Sequence, residues 1–376
     1  MSETLGKIKK ATSRLREKLS REEMTPLERM RAAARFEEPD RVPVILQIHE
    51  YAARAAGMAV SEVCVDPEKH VLSQILAMER YGHDLPCAFA DSYNVEAEAL
   101  GCRLQFFEDR LPEIVERSVK EPADLARLRV PDPHSAGRMP WIFEVNGLLA
   151  EHLGGLVSPY AAVSAPFSLA CSIRGYENVI ADIAADPEFA HSLMEFCTQV
   201  STAYAREQLA GAAMSVSLID AWASPPLVNM EIFDEYVLPY TSRAIGAVTP
   251  PGANWGGIWG AGVIDDWRKL IRRVIAAGST NVRAFGEDLD RGVPLGELKE
   301  ICRAHGRPIL ATVTASMMAR GTPEAIESAV AALIRSGAAG GGFVLYGAMV
   351  PIDTPHENLV RFVESARRLG RYPLPA

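Results

Sequence analysis

The residues of this chain best suited to chemistry are polar side chains that directly follow apolar runs. Asp91 ends the run LPCAFA, and His49 and Glu50 follow the run RVPVILQI. A carboxylate at the end of a buried strand is partly desolvated, so it can act as a general base or hold a cationic or N–H-rich ligand. A histidine beside a carboxylate can donate a proton while the acid orients its ring. We therefore predict that Asp91, His49 and Glu50 are catalytic residues.

A second set of polar and aromatic side chains lies just beyond other predicted strands. We predict that these residues bind substrate: Tyr93, Asn94, Asp220, Trp222, Asn254, Trp255, Arg283, Thr312 and Tyr346. The three tryptophans Trp222, Trp255 and Trp259 could form an aromatic wall for a flat or cationic ligand. Each position also has a structural interpretation, because carboxylates cap helices and loops and large aromatic side chains fill cores.

These residues need a scaffold that brings the ends of several strands together. Short apolar runs predict strands at 41–48, 85–90, 156–163, 214–219, 280–285, 308–313 and 343–345, and helical patterns alternate with them. About eight strands alternate with helices and no linker rich in Gly, Pro or Ser divides the chain. The pattern therefore favours an α/β fold with a single (β/α)8 barrel, in which reactive groups lie at the carboxyl ends of the strands.

The chain divides into a short extension and the barrel. Residues 1–24 are charged and carry a thin apolar stripe, which predicts an N-terminal helical extension that is solvated or packed on a partner. Residues 25–376 contain the alternating strands and helices, so we assign this range to the barrel.

Composition argues against several classes of protein. The 376 residues carry a net charge of -9, so the chain has no excess of cations with which to bind nucleic acid or an anionic membrane. No apolar run reaches membrane-spanning length and the N-terminus has no signal-peptide core, so we expect a cytoplasmic protein. The six cysteines are scattered without a CxxC pair, and we expect them to be small buried residues. Dinucleotide, P-loop and GxSxG motifs are absent from the sequence.

Several long segments resemble one known family. TPLERMRAAARFEEPDRVPV, FADSYNVEAEALGCRLQF, LIDAWASPPLVNMEIFDEYVLPY and VPIDTPHENLVRFVESARRLGRY are similar to segments of the uroporphyrinogen decarboxylase superfamily. The resemblance covers nearly all of the chain from Thr25 onward and implies a (β/α)8 barrel. The HEYAARAAG, ERYGHD and VEAEALG segments resemble the corrinoid-dependent methyltransferase branch more closely. That branch moves methyl groups between a methylated corrinoid protein and a thiol.

Compared with the decarboxylase branch, the chain keeps one functional residue and changes the others. Asp91 matches the catalytic aspartate implied by the resemblance. The expected tyrosine, serine and histidine are replaced by Ser172, Ala221 and Gly347, and the arginine-rich loop after the first strand retains only Arg54. A substrate with many carboxylates needs such cationic partners. The decarboxylase activity is therefore the less favoured prediction.

The methyltransferase branch implies a zinc site that this sequence does not reproduce. The resemblance places the zinc ligands, a His-x-Cys pair and a later Cys, at Asn254, Gly256 and Ala348. These three residue types cannot bind zinc in the expected way, and neither Cys171 nor Cys302 is an easy replacement. We therefore expect zinc to be absent, and the changed ligands predict a changed methyl acceptor.

These observations predict a methyltransferase-like enzyme. It would move a methyl group between a methylated or methoxylated small molecule and a corrinoid or a reduced pterin such as tetrahydrofolate. Two alternatives stay open, a decarboxylase that uses Asp91 and a non-catalytic barrel that binds a corrinoid protein. The candidate partners are a small-molecule substrate, a corrinoid protein and a second copy of the chain in a homodimer.

Overall fold

The computed structural model describes residues 2–91, 93–157, 160–248 and 252–374. Its strands are short, and most of them coincide with the apolar runs of the sequence. The strands of the described residues are β1 (Val44–Leu46), β2 (Arg103–Gln105), β3 (Glu113–Glu116), β4 (Tyr160–Ser164), β5 (Ser215–Ile219), β6 (Ala253–Gly256), β7 (Val282–Ala284), β8 (Ile309–Thr312) and β9 (Phe343–Gly347). The predicted strand at 156–163 corresponds to β4, and its positions 158 and 159 lie outside the described residues.

Seven of these strands form the parallel wall of a barrel. β1 pairs with β9, β9 with β8 and β8 with β7, while β4, β5 and β6 form a second parallel group. The Thr280 N–H donates to the Ala253 carbonyl oxygen at 3.0 Å, which links the start of β7 to β6. The last strand of the chain pairs with the first, so the wall closes on itself. The fold is the predicted (β/α)8 barrel.

The eighth position in the wall is taken by residues 85–90, which the sequence predicts as a strand. Only Leu85 forms a β-bridge there, with Ile45, and the Asp84 N–H donates to the Val44 carbonyl oxygen at 2.7 Å. Pro86 has no N–H with which to continue a ladder, so the segment follows the path of a strand without regular pairing. The segment still delivers Asp91 to the end of the barrel where the other strands finish.

Helices surround the wall and cover one of its ends. The helices of the described residues are α1 (Glu3–Leu19), α2 (Pro26–Ala34), α3 (His49–Ala55), α4 (Val60–Val65), α5 (Pro67–Tyr81), α6 (Asn94–Ala99), α7 (Pro122–Leu125), α8 (Met139–Leu153), α9 (Pro166–Arg174), α10 (Tyr176–Ala185), α11 (Pro187–Ala210), α12 (Met230–Ile232), α13 (Leu238–Ala247), α14 (Trp267–Ala276), α15 (Gly286–Asp290), α16 (Leu295–Ala304), α17 (Ala315–Arg320), α18 (Pro323–Gly337) and α19 (His356–Leu369). Within the described ranges, none of them is long and apolar enough to cross a membrane.

The N-terminal helix α1 lies against the outside of the barrel. Its apolar residues Ile8, Leu15 and Leu19 are buried in the main hydrophobic core, where α1 packs on α5 and α8. The Arg16 guanidinium donates to the His152 carbonyl oxygen at 2.7 Å. The apolar stripe of this predicted extension is therefore covered by the chain's own helices.

The two ends of the barrel are flanked by different elements. At the amino ends of the strands, α2 contributes Leu27 and Met30 to the covering layer. At the carboxyl ends, β2 and β3 form an antiparallel hairpin, and the connecting residues Leu111 and Pro112 face the barrel mouth. The hairpin thus forms one side wall of the space above the strand ends.

A buried group of five charged residues lies at the amino ends of the strands, and we call it the amino-end ion cluster. The Arg29 guanidinium binds Asp40 at 2.7 Å, Asp84 at 2.5 Å and Glu22 at 2.9 Å. Arg41 binds Asp84 at 2.8 Å and Glu22 at 3.2 Å. Asp84 also accepts the Val44 N–H at 2.7 Å. The cluster ties α2 to the start of β1 and to the start of the 85–90 segment.

Candidate functional site

A cavity of about 480 Å³ opens at the carboxyl ends of the strands, and we call it the mouth cavity. Apolar and aromatic side chains make most of its surface, with a few polar groups between them. It is lined by Gln47, His49, Asp91, Tyr93, Asn94, Leu111, Pro112, Glu113, Ile114, Arg117, Cys171, Ser172, Ile219, Ala221, Trp222, Gly257, Trp259, Arg283, Phe285, Ala348 and Met349. Apolar walls with a small number of polar groups are typical of small-molecule sites.

Asp91 is the buried carboxylate of the mouth cavity, with 6% of its surface exposed. One oxygen accepts from the Asn94 amide at 2.7 Å, and the other accepts from the Arg138 guanidinium at 2.8 Å. Burial raises the pKa of Asp91 above its usual value, although Arg138 opposes the shift. The side chain can therefore serve as an acid or a base, or accept a hydrogen bond from a ligand.

His49 begins α3 and lies on the cavity wall with both ring nitrogens engaged. Its Nδ1–H donates to the Phe89 carbonyl oxygen at 2.7 Å, and its Nε2 accepts from the Gln47 amide at 3.0 Å. Burial lowers the pKa of His49, whereas Cys87 and Glu50 favour the imidazolium and raise the pKa to about 9 overall. The Gln47 oxygen accepts from the Tyr346 hydroxyl, so the Gln47 NH2 group faces Nε2, and this donor opposes the protonation that Cys87 and Glu50 favour.

The opposite wall of the cavity carries aromatic residues. The Tyr93 hydroxyl accepts from the Ala221 N–H at 3.1 Å, and burial raises the pKa of this tyrosine well above its usual value. Trp222 is 38% exposed and stacks on Tyr176 with ring centroids 5.4 Å apart. Trp259 lines the same cavity. This side therefore offers flat apolar surface to a ligand.

Arg283 lies in the barrel interior between the mouth cavity and a second cavity. The second cavity, of about 260 Å³, opens at the amino ends of the strands, and Asn254 and Tyr346 line it together with Arg283. The Arg283 Nη2 donates to the Ser217 hydroxyl at 3.3 Å, and its guanidinium carbon lies 5.3 Å from the centroid of the Tyr346 ring. Of these predicted binding residues, only Arg283 reaches both cavities.

The other predicted site residues lie away from the mouth cavity. Asp220 is fully buried beside the strands and accepts from the Trp255 indole N–H at 3.1 Å. Burial raises the pKa of Asp220 to about 6. The Thr312 hydroxyl accepts from the Gly286 N–H at 2.9 Å and lines a smaller adjoining pocket. Glu50, in the first turn of α3, lies outside the mouth cavity.

Three residues of the site were not among the predicted ones. Arg138, at the start of α8, forms ion pairs with Asp91 at 2.8 Å and Glu98 at 2.5 Å. Gln47 orients His49, and Cys171 lies on the cavity wall rather than away from the site. Gln47 could have been found by strand alternation, since it is two residues from His49 and one face of a strand repeats every second residue. The sequence contains no comparable signal for Arg138.

The residues present do not fit the zinc site that the resemblance implies. The Asn254 side chain points into the barrel, where its oxygen accepts from the Ser217 hydroxyl at 2.8 Å. Gly256 has no side chain, and Ala348 offers only a methyl group to the mouth cavity. Among the described residues, no group of three or more His, Cys, Asp or Glu side chains is arranged to hold a metal ion.

A closed (β/α)8 barrel that gathers polar residues and an apolar cavity at the carboxyl ends of its strands has the architecture of a barrel enzyme. The chain belongs to the uroporphyrinogen decarboxylase (URO-D) family, whose family model matches residues 25–369. Members of this family include decarboxylases and methyltransferases, and both are found among the relatives of this chain.

Two relatives and one solved structure illustrate this range. The uroporphyrinogen decarboxylase of Trichlorobacter lovleyi is 27% identical over a match that covers 56% of this chain and 63% of the relative. The methylcobamide:CoM methyltransferase MtbA of Methanosarcina mazei is 23% identical over 92% of this chain and 98% of the relative. A methyltransferase from Methanosarcina mazei of known structure superposes with a TM-score of 0.78 at 18% identity, over 92% of this chain and 99% of that chain.

Proposed function

We propose that this protein is a methyltransferase that moves a methyl group from a methylated or methoxylated small molecule to a corrinoid or a reduced pterin, without zinc. The observation that carries the proposal is the placement of Asp91, a buried carboxylate on the wall of a largely apolar cavity. The methyltransferase relative that matches along nearly the whole chain supports the choice of reaction class. The changed residues at the zinc positions support an acceptor that needs no metal-bound thiolate.

In this reaction the bond between the donor atom and the methyl carbon breaks while the bond between the methyl carbon and the acceptor forms. The electron pair of the broken bond stays on the donor atom, which then takes a proton. Asp91 can hold such a proton because burial raises its pKa. Asn94 and Arg138 fix the carboxyl group toward the cavity, and His49 completes the wall beside it. Glu50 has a more distant electrostatic role, since it favours the imidazolium form of His49.

The test supplies donors and acceptors in turn to the purified protein. Methoxylated and methylated aromatic compounds are incubated with chemically reduced cobalamin or with tetrahydrofolate, and the methylated acceptor is measured by absorbance and mass spectrometry. The proposal predicts a methylated acceptor with at least one donor and a loss of about a hundredfold in rate for Asp91→Asn. Turnover of uroporphyrinogen with no methyl transfer would instead establish the decarboxylase.

Metal removal separates this proposal from zinc-dependent methyl transfer. We expect protein washed with a strong chelator to retain its activity, because the side chains at 254, 256 and 348 cannot replace the ligands of the resembling enzymes. The measurement is the methyl-transfer rate before and after chelation, together with the metal content of the washed protein. A loss of activity that added zinc restores would contradict the proposal.

A further inference from the structure

We infer that the substrate of the mouth cavity carries a carboxylate on an apolar body, and that Arg283 binds this carboxylate from its position beside Gly256. The inference rests on the proposed function, which it extends by naming the class of substrate. Its test uses binding alone, so that its outcome does not depend on methyl transfer.

The first observation is that Arg283 has no acidic partner among the residues that the structure describes. Its Nη2 makes one long hydrogen bond, of 3.3 Å, to the neutral Ser217 hydroxyl. Its Nε is buried and has no hydrogen-bond partner among the described residues. Arginine carries its charge at all physiological pH values, and its planar group of five N–H donors matches the two oxygens of a carboxylate. The side chain is therefore able to receive an anion.

The second observation is the space that the guanidinium fills. A Cβ atom at Gly256 would lie 2.9 Å from the Arg283 Nη2 and 2.5 Å from the Ser217 oxygen. A metal-binding side chain at position 256 and the present position of Arg283 therefore exclude each other. The strands place Gly256 at the end of β6 and Arg283 in the middle of β7, its neighbour in the wall. The Arg283 guanidinium therefore occupies the space that a side chain at position 256 would need.

The third observation is that Arg138, a partly buried cation beside the cavity, is already neutralised by carboxylates. Arg138 is held by Asp91 and Glu98 and is not available to a ligand. Arg117 lines the cavity from its exposed rim. Of the two arginines that line the mouth cavity among the described residues, Arg283 is thus the less exposed, and a carboxylate bound there would place the rest of the ligand among the aromatic walls.

Those walls indicate the body of the ligand. Ile219, Trp222, Trp259 and Phe285 face the mouth cavity and provide flat apolar surface. A charged ligand without an apolar body would leave this surface in contact with water. The apolar surface would then contribute no hydrophobic free energy to binding. An aromatic carboxylate uses both the cation and the walls, so benzoate is a suitable probe and benzamide is its neutral counterpart of the same shape.

The experiment measures binding of benzoate and benzamide by calorimetry at constant ionic strength. We expect the wild-type protein to bind benzoate at least about tenfold more tightly than benzamide, and Arg283→Met to lose most of this preference. Gly256→Ala should weaken benzoate binding as well, because the added methyl group displaces the guanidinium. Arg335→Met, at an exposed arginine of α18, is the matched control and should bind like the wild type.

Two results would overturn the inference. One is equal binding of benzoate and benzamide by the wild-type protein, including the case in which neither binds. The other is an unchanged preference for benzoate in both Arg283→Met and Gly256→Ala. Unfolding temperatures of the free variants are recorded beside the calorimetry, and Gly256→Ala keeps the test decisive if Arg283→Met does not fold. A missing methyl-transfer activity with a clear preference for benzoate would reject the proposed function and retain the carboxylate site.

Discussion

Two arginines of this protein, the fully buried Arg29 and the half-buried Arg283, have opposite surroundings. Arg29, with 0% of its surface exposed, binds three carboxylates in the amino-end ion cluster. Arg283, in the barrel interior, binds one neutral hydroxyl at 3.3 Å and leaves its Nε without a partner among the described residues. Burial alone would lower the pKa of Arg29, but its acidic neighbours raise it above the usual value. The two side chains thus compare a guanidinium that has carboxylate partners with one that has none among the described residues.

The difference separates a structural charge from a charge that is prepared for a ligand. A cation surrounded by carboxylates has its desolvation offset within the folded chain, so it fixes the elements that carry those acids. A cation with an unmade hydrogen bond keeps an unfavourable contribution that a bound anion can remove. Substitution of each arginine by the same apolar side chain should therefore give unlike results.

Arg29→Met should be strongly destabilising. The variant leaves Asp84 and Glu22 with Arg41 and Arg367 as ion-pair partners, and it leaves Asp40 without an ion-pair partner among the described residues. Removing one member of a buried ion network typically costs about 3–5 kcal/mol. We expect the free energy of unfolding in urea to fall by that amount. Arg335→Met, at an exposed position, serves as the control and should change the free energy much less. A loss as small as that of the control would show that the cluster is not a structural element.

Arg138→Met should have a smaller effect that depends on pH. Without Arg138, the Asp91 carboxylate lies buried with the Asn94 amide as its one side-chain donor among the described residues, and the pKa of Asp91 rises further. A raised carboxyl pKa adds stability below the unfolded pKa and loses it as pH rises through the folded pKa. We therefore expect a loss of about 2 kcal/mol at pH 8 and a smaller loss at pH 5.

The matched comparison for this variant is Arg138→Met combined with Asp91→Asn. The second substitution removes the unpaired charge, so the double variant should recover part of the stability at pH 8 and lose the pH dependence. Urea unfolding at several pH values measures both changes, and the double-mutant cycle gives the coupling between the two residues. A loss that is equal at pH 5 and pH 8 would show that Asp91 does not carry the charge in question.

Most strands could be predicted from the sequence because their residues are buried on both faces of the wall. Each such strand therefore appears as a short run of apolar residues. The apolar run at 214–219 becomes β5 (Ser215–Ile219) with an error of one residue. The run at 85–90 does not become a regular strand, although its residues are apolar, because Pro86 interrupts the hydrogen bonds of the ladder. The apolar residues of a segment indicate that it is buried. Whether the segment forms a paired strand depends on the backbone N–H groups that it can offer to a neighbouring strand.

The site was harder to predict because it depends on directions and distant contacts. Asn254 and Trp255 are neighbours on β6, so they must point to opposite faces of the wall. Asn254 faces the barrel interior, while Trp255 packs on Phe233 outside it, with ring centroids 5.5 Å apart. The alternation of side-chain directions along a strand could have shown that only one of these two residues faces the barrel interior. The contact between Asp91 and Arg138 joins residues far apart in the chain, and only the fold brings them together.

Arg283→Met should leave the stability of the free protein nearly unchanged, which is the smallest effect and the sharpest contrast with Arg29→Met. Methionine retains most of the length of arginine. Because Arg283 has no carboxylate partner among the described residues, loss of its charge leaves no carboxylate unpaired. The Ser217 hydroxyl keeps its hydrogen bond to the Asn254 oxygen at 2.8 Å. We expect a change in the free energy of unfolding within about 1 kcal/mol, in either direction. Urea unfolding of both methionine variants, side by side and without added anions, makes the comparison. A loss at Arg283 as large as the loss at Arg29 would mean that this guanidinium is a structural group, held by interactions that its position in the barrel does not reveal.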